Sequence, residues 1–194
     1  MIEYTALSLA DASSALHDIA RDAESAFGHL DVQQLNWKPE ADRWSVAQCF
    51  EHLVTGNRLM LRAAHDALDG AQRTIWQRVP LMPRVLGSLM IRSQSPGVSR
   101  RYVAPSAAQP IASEISADII ERFIAQQDEA ATWMQTLDEG TARHTIMVSP
   151  FVRFIAYSVL DGCRLMAAHD RRHFEQARRV TVAYQFPSPA SRQG

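Results

Sequence analysis

Apolar residues recur at steps of three and four along most of this chain, and this spacing constrains the fold more than any other feature. It is typical of amphipathic helices that bury one face. No segment alternates apolar and polar residues over more than a few positions, so no convincing strand is predicted. With 46% hydrophobic residues among 194, the chain has enough apolar material for one sizeable core. The sequence therefore predicts an all-α fold.

The periodic segments predict four long helices. Ser45 is well placed to cap the second helix, and Gly140 is expected to end the third. A short irregular or extended stretch, HTIMVSPFVRFIAY, should lead into the last helix. In chain order, the predicted helices cover approximately residues 8–30, 45–70, 113–140 and 158–182.

Residues 71–110 carry five of the nine prolines, so this stretch cannot form one long helix. It is predicted to be a long crossover between the second and third long helices, with a short helix near residues 84–92. Four long helices with one extended crossover describe a four-helix bundle, a fold that builds metal sites from facing helices. We expect a single bundle domain over residues 1–183 and a flexible tail over residues 184–194.

Charge and hydropathy argue against several classes of partner. The formal net charge is −1, which provides no field to attract nucleic acid or an anionic membrane. No apolar run reaches the roughly 18 residues of a membrane-spanning helix, and the N-terminus lacks a signal-peptide pattern. These features predict a soluble, cytoplasmic protein. Cys49 and Cys163 lie inside helical patterns without a CxxC pair, so packing is favoured over disulfide, metal-ligand or nucleophile roles.

The segment HDRRH places His169 and His173 four residues apart, about 40° from each other on the apolar face of the last helix. Two imidazoles one turn apart can bind one cation. His52, on the second helix, would supply a third nitrogen and leave a coordination position open. Buried histidines are more often hydrogen-bonded core residues than ligands, so the spacing alone leaves both interpretations open.

Several motifs together resemble a known family. WKP, WSV and HL stand around the second helix, RYVAP lies in the crossover, SPFV precedes the last helix, and AAHDRRHFEQARR lies within it. These motifs extend over most of the chain and are similar to the DinB-like (DinB/YfiT) metal-binding superfamily. The resemblance implies a four-helix bundle, commonly a homodimer, that binds one divalent metal ion. Carried over residue by residue, it marks His52, His169 and His173 as the metal ligands.

Three neutral imidazoles suit zinc or nickel best, and iron or manganese are also compatible. The resemblance implies a metal-dependent enzyme that acts on a small molecule, as a thiol S-transferase or a hydrolase, through a metal-activated thiolate or water. A low-molecular-weight thiol is one candidate substrate. The alternative is a non-catalytic bundle with a structural, sensing or dimer-interaction role. No catalytic residue is assigned, although Glu51 is a candidate general base and Gln176 a candidate for orienting His173 or contacting substrate.

Overall fold

The computed structural model describes residues 2–70, 82–96, 114–152 and 154–188. Within these ranges the fold is mostly helical, as predicted, with one short 3-10 helix and one small sheet. The α-helices are α1 (Leu9–Phe27), α2 (Val32–Asn36), α3 (Val46–Leu68), α4 (Met82–Gln94), α5 (Ile119–Thr136), α6 (Glu139–His144) and α7 (Val159–Thr181). The 3-10 helix is Tyr4–Ala6, and the strands are β1 (Ile146–Val148) and β2 (Ala156–Ser158).

The starts of α3 and α7 are set by serine caps. Ser45 Oγ accepts a hydrogen bond from Gln48 N at 3.1 Å, and Gln48 Oε1 accepts one from Ser45 N at 3.2 Å. This reciprocal capping box satisfies two backbone donors that a helix start leaves unpaired. Ser158 Oγ accepts from Asp161 N at 3.0 Å at the start of α7. The predicted start points of both helices are therefore confirmed, and these two helices carry the candidate ligands.

The four long helices meet around a cluster of phenylalanines. Helix α1 packs along α5 and α3 along α7, and further contacts join α1 to α7 and α3 to α5. One phenylalanine from each helix enters the cluster, where edge-to-face pairs have ring centroids 4.8–5.5 Å apart. Such pairs stabilise a core beyond the burial of their area. The four residues are Phe27, Phe50, Phe123 and Phe174.

The segment between α5 and α7 differs from its prediction. Gly140 does not end the third long helix, because α5 already ends at Thr136. Instead it lies inside α6, which Asp138 caps by accepting a hydrogen bond from Thr141 N at 2.7 Å. The expected extended stretch contains β1 and β2, which pair antiparallel with Ile146 opposite Ser158. Three-residue strands are too short to give a clear alternating pattern.

The short helix predicted inside the crossover is present as α4, which packs against α7 and β2. The rest of the crossover, including the RYVAP motif, lies outside the described residues. At the C-terminus, Phe186 packs edge-on against Trp37 with ring centroids 5.6 Å apart, and the description stops at residue 188. In the described part of the chain, no helix combines the length and apolar content that crossing a membrane requires.

Candidate metal centre

Helices α3 and α7 bring three histidines together. His52 comes from α3, and His169 and His173 come from successive turns of α7. Each offers one ring nitrogen, and these nitrogens all lie within 4.8 Å of one another. His52 Nε2 and His169 Nε2 are 3.2 Å apart. Two ligands of a tetrahedral ion with Zn–N bonds of about 2.0–2.1 Å are separated by roughly 3.3 Å, so this pair fits a shared ion.

The cluster is enclosed on one side and open on the other. His52 is 4% exposed, whereas the His169 side chain is 22% exposed. A site that binds substrate needs three protein ligands and an accessible coordination position. His173 is also partly exposed, so the two α7 histidines indicate the side from which a small molecule would reach the cluster.

The environment of His173 keeps its ring neutral. Burial lowers the pKa of His173 well below its ordinary value, and the neighbouring His169, His52 and Arg172 lower it further. The Gln176 side chain opposes this effect. His173 Nδ1 is buried and has no hydrogen-bond partner among the described residues. Because a metal binds neutral imidazole, this ring is held in the form that a ligand requires.

The lowered pKa of His173 predicts how the metal-free protein responds to acid. Its folded-state pKa lies below the 6.5 of an unperturbed histidine, so the unfolded chain binds the proton more readily. The contribution of His173 to stability is present above pH 6.5 and is lost as the pH falls below that value. In chelator-treated protein, the urea-measured free energy of unfolding should fall more steeply between about pH 7 and pH 5.5 in wild type than in His173→Gln.

The matched control is His65→Gln, because His65 is an exposed histidine on α3. That variant should keep the wild-type slope of stability against pH. Equal slopes in wild type and His173→Gln would contradict a buried, neutral His173.

Trp44 lies against the cluster. Its ring centroid is 5.0 Å from that of His52 and 5.8 Å from that of His173, with the His173 ring stacked at 24°. Trp44 therefore covers two of the candidate ligands. The sequence feature that could have indicated this position is that Trp44 immediately precedes Ser45, the N-cap of α3.

A buried polar group lies on the far side of His169. Asp170 is fully buried, and its Oδ2 accepts a hydrogen bond from Asn57 Nδ2 at 2.8 Å. Its Oδ1 lies 3.8 Å from His169 Nδ1 and has no hydrogen-bond partner in the structure. Burial raises the pKa of the Asp170 carboxyl, and the neighbouring His169 and Asn57 oppose that rise. The sequence feature that could have indicated this buried polar group is Asn57, a polar residue within the apolar stripe of the second helix.

Glu51 and Gln176 are the two candidate catalytic residues from the sequence. Glu51 Oε2 is buried and has no hydrogen-bond partner among the residues that the structure describes, and Gln176 interacts with His173. Their suggested roles as general base and orienting residue stay predictions.

Cys49 and Cys163 are fully buried, and burial raises the pKa of each thiol to about 12. Thiols held protonated in this way are poor nucleophiles and ligands, which agrees with their predicted packing role.

Arg172 connects the site to α4. Its Nη1 donates a hydrogen bond to the carbonyl oxygen of Ser93 at 2.7 Å. Ser93 lies in the last turn of α4, the helix within the crossover. The end of α4 is therefore held beside the turn of α7 that carries His169 and His173.

A family model described as the DinB superfamily matches residues 15–177, a range that contains all three clustered histidines. Neither the curated proteins nor the solved structures yielded a match.

Proposed function

Because the chain belongs to the DinB superfamily, we propose that it binds one divalent metal ion through His52, His169 and His173 and acts with it on a small molecule. The observation that carries this proposal is the convergence of three ring nitrogens within 4.8 Å from two helices. Zinc or nickel suits a three-imidazole site best, with iron or manganese as further candidates. When bound, such an ion supplies Lewis acidity, which lowers the pKa of a water or thiol.

The residues of the chain support a reaction at the open side of the cluster. His169 and His173 are both more exposed than His52, so a small substrate would approach from the side of α7. Trp44 covers one face of the cluster through its contacts with the rings of His52 and His173. Glu51 carries a buried carboxylate oxygen to which no described residue donates a hydrogen bond, which makes it the candidate to take up a proton. The reaction class we propose is thiol transfer or hydrolysis.

The experiment compares turnover by zinc-loaded, nickel-loaded and chelator-treated protein. Thiol transfer is assayed with glutathione and 1-chloro-2,4-dinitrobenzene, and hydrolysis with p-nitrophenyl acetate. Turnover should require metal, should be lost in His169→Ala, and should be kept in His65→Ala, which removes a histidine outside the cluster. Circular dichroism should show that each variant remains helical.

Two outcomes would count against an enzyme. Turnover that is independent of metal and of His169 would place the reaction elsewhere. Metal-bound protein that turns over neither probe, but loses much of its melting temperature on chelation, would favour the non-catalytic, structural or sensing role.

The proposal extends to assembly and location. We propose that the four long helices form a four-helix bundle, and that the protein is a cytoplasmic homodimer. Static light scattering on the metal-loaded protein should give twice the mass of the 21.7 kDa chain. A mass of one chain would contradict the dimer and leave the metal site unaffected.

A further inference from the structure

We propose that Asp170 is a positioning residue for the metal centre, and that it fixes the orientation of His169 by accepting a hydrogen bond from His169 Nδ1. This inference rests on the proposed metal site. It adds a carboxylate that touches neither the ion nor the substrate, because Asp170 is not among the residues whose ligand atoms converge.

The two nitrogens of His169 face different partners. Nε2 lies 3.2 Å from His52 Nε2, on the side where the three histidines converge. Nδ1 lies 3.8 Å from Asp170 Oδ1, on the side of the buried polar group. With Nε2 as the metal ligand, Nδ1 must carry the ring proton in the neutral imidazole. That proton is then available to the carboxylate, which is the arrangement that orients many metal-bound histidines.

The Asp170 carboxylate is held in place by a hydrogen bond to only one of its two oxygens. Asn57 Nδ2 donates to Oδ2 at 2.8 Å, across the interface between α3 and α7. Oδ1 is buried and makes no hydrogen bond within the described part of the chain. A buried oxygen that lacks a partner costs free energy unless a donor is supplied. Closing the 3.8 Å gap to a hydrogen bond of about 2.8 Å requires a shift of about 1 Å, which a small rotation of the His169 ring can provide.

A competing donor also lies beside Asp170. Gln127, from α5, is fully buried next to the carboxylate, and neither atom of its amide has a hydrogen-bond partner among the described residues. The alternative is a purely structural role, in which the polar side chains of Asn57, Gln127 and Asp170 only align α3, α5 and α7. A purely structural role predicts that changing Asp170 alters stability and leaves zinc affinity unchanged in the folded fraction. A positioning role predicts a change in affinity and in the protonated nitrogen of His169.

The test compares Asp170→Asn with Asp161→Asn. An asparagine cannot present an oxygen to both Asn57 and His169, whereas it has almost the same shape as aspartate. Asp161 is another buried carboxylate of the same helix, and it pairs with Arg164 at 3.0 Å instead of with a histidine. Zinc affinity, measured by competition with a chromophoric chelator, should fall about 10- to 100-fold in Asp170→Asn and stay unchanged in Asp161→Asn.

A second measurement on the wild-type protein does not depend on the variant folding. Long-range ¹H–¹⁵N correlation spectra of the zinc-loaded protein should show His169 bound through Nε2, with a slowly exchanging proton on Nδ1. Binding through Nδ1, or unchanged affinity in folded Asp170→Asn, would overturn the inference while leaving the metal site intact. Failure of the wild-type protein to bind zinc, nickel, iron or manganese would instead overturn the proposed function and this inference with it.

Discussion

Replacing His169 by alanine should lower the affinity for zinc by more than about a hundredfold, because losing a ligand costs more than losing a hydrogen-bond partner of a ligand. His169 is a suitable choice, since its side chain is 22% exposed and its removal disturbs buried packing less than removal of His52, which is 4% exposed. The affinity is measured by competition with a chromophoric chelator. Circular dichroism and the melting temperature of the metal-free variant report whether it folds.

His65→Ala is the matched control for this variant. His65 also lies on one of the two ligand-bearing helices, but its ring packs against Trp133 with centroids 4.8 Å apart and is not part of the cluster. Its removal should leave the zinc affinity unchanged. Equal affinities of wild type and His169→Ala would mean that the metal, if bound, is held elsewhere.

Replacing Phe50 by alanine should destabilise the protein by about 3–5 kcal/mol, the usual cost of removing a buried aromatic ring. Phe50 is fully buried and packs edge-on against Phe27 and Phe123, which joins α3 to α1 and α5. For a domain of this size, the expected loss of melting temperature is about 6–20 °C. Denaturant titration gives the free energy of unfolding, and calorimetry gives the melting temperature.

Phe154→Ala is the control, because Phe154 is 72% exposed and has no comparable burial to lose. Its free energy of unfolding should stay within about 0.5 kcal/mol of wild type. A loss below about 1 kcal/mol in Phe50→Ala would contradict the aromatic cluster as the contact that fixes α3 within the core. Because Phe50 stands two residues before His52, a severe loss of packing should also weaken zinc binding.

The elements that carry the site follow from local signals in the sequence. Ser45 and Ser158 stand immediately before apolar periodic segments, and both cap their helices as side-chain acceptors. A regular helix then places residues four apart on one face, so His169 and His173 necessarily point the same way. Helical spacing cannot tell how two helices are aligned along their axes, so the spacing left His52 as a hypothesis, which the family resemblance then supported.

Features that depend on packing between distant segments were not predictable in this way. The contact of Trp44 with two histidines requires the turn before α3 to lie against α7. Likewise, the hydrogen bond from Asn57 to Asp170 joins residues 113 positions apart, and neither residue type indicates the partner. Gly140 misled the boundary prediction because the Asp138 cap stabilises a new helix around it.

The central claim is a metal ion bound by three histidines, and the most direct measurement combines metal content with the identity of the bound ligands. Protein purified without an affinity tag is analysed by inductively coupled plasma mass spectrometry, and the metal is then examined by X-ray absorption spectroscopy. The account predicts one divalent ion per chain, with three imidazole nitrogens among its ligands and none bound after His169→Ala. No bound metal, even after incubation with zinc, nickel, iron and manganese, would contradict it.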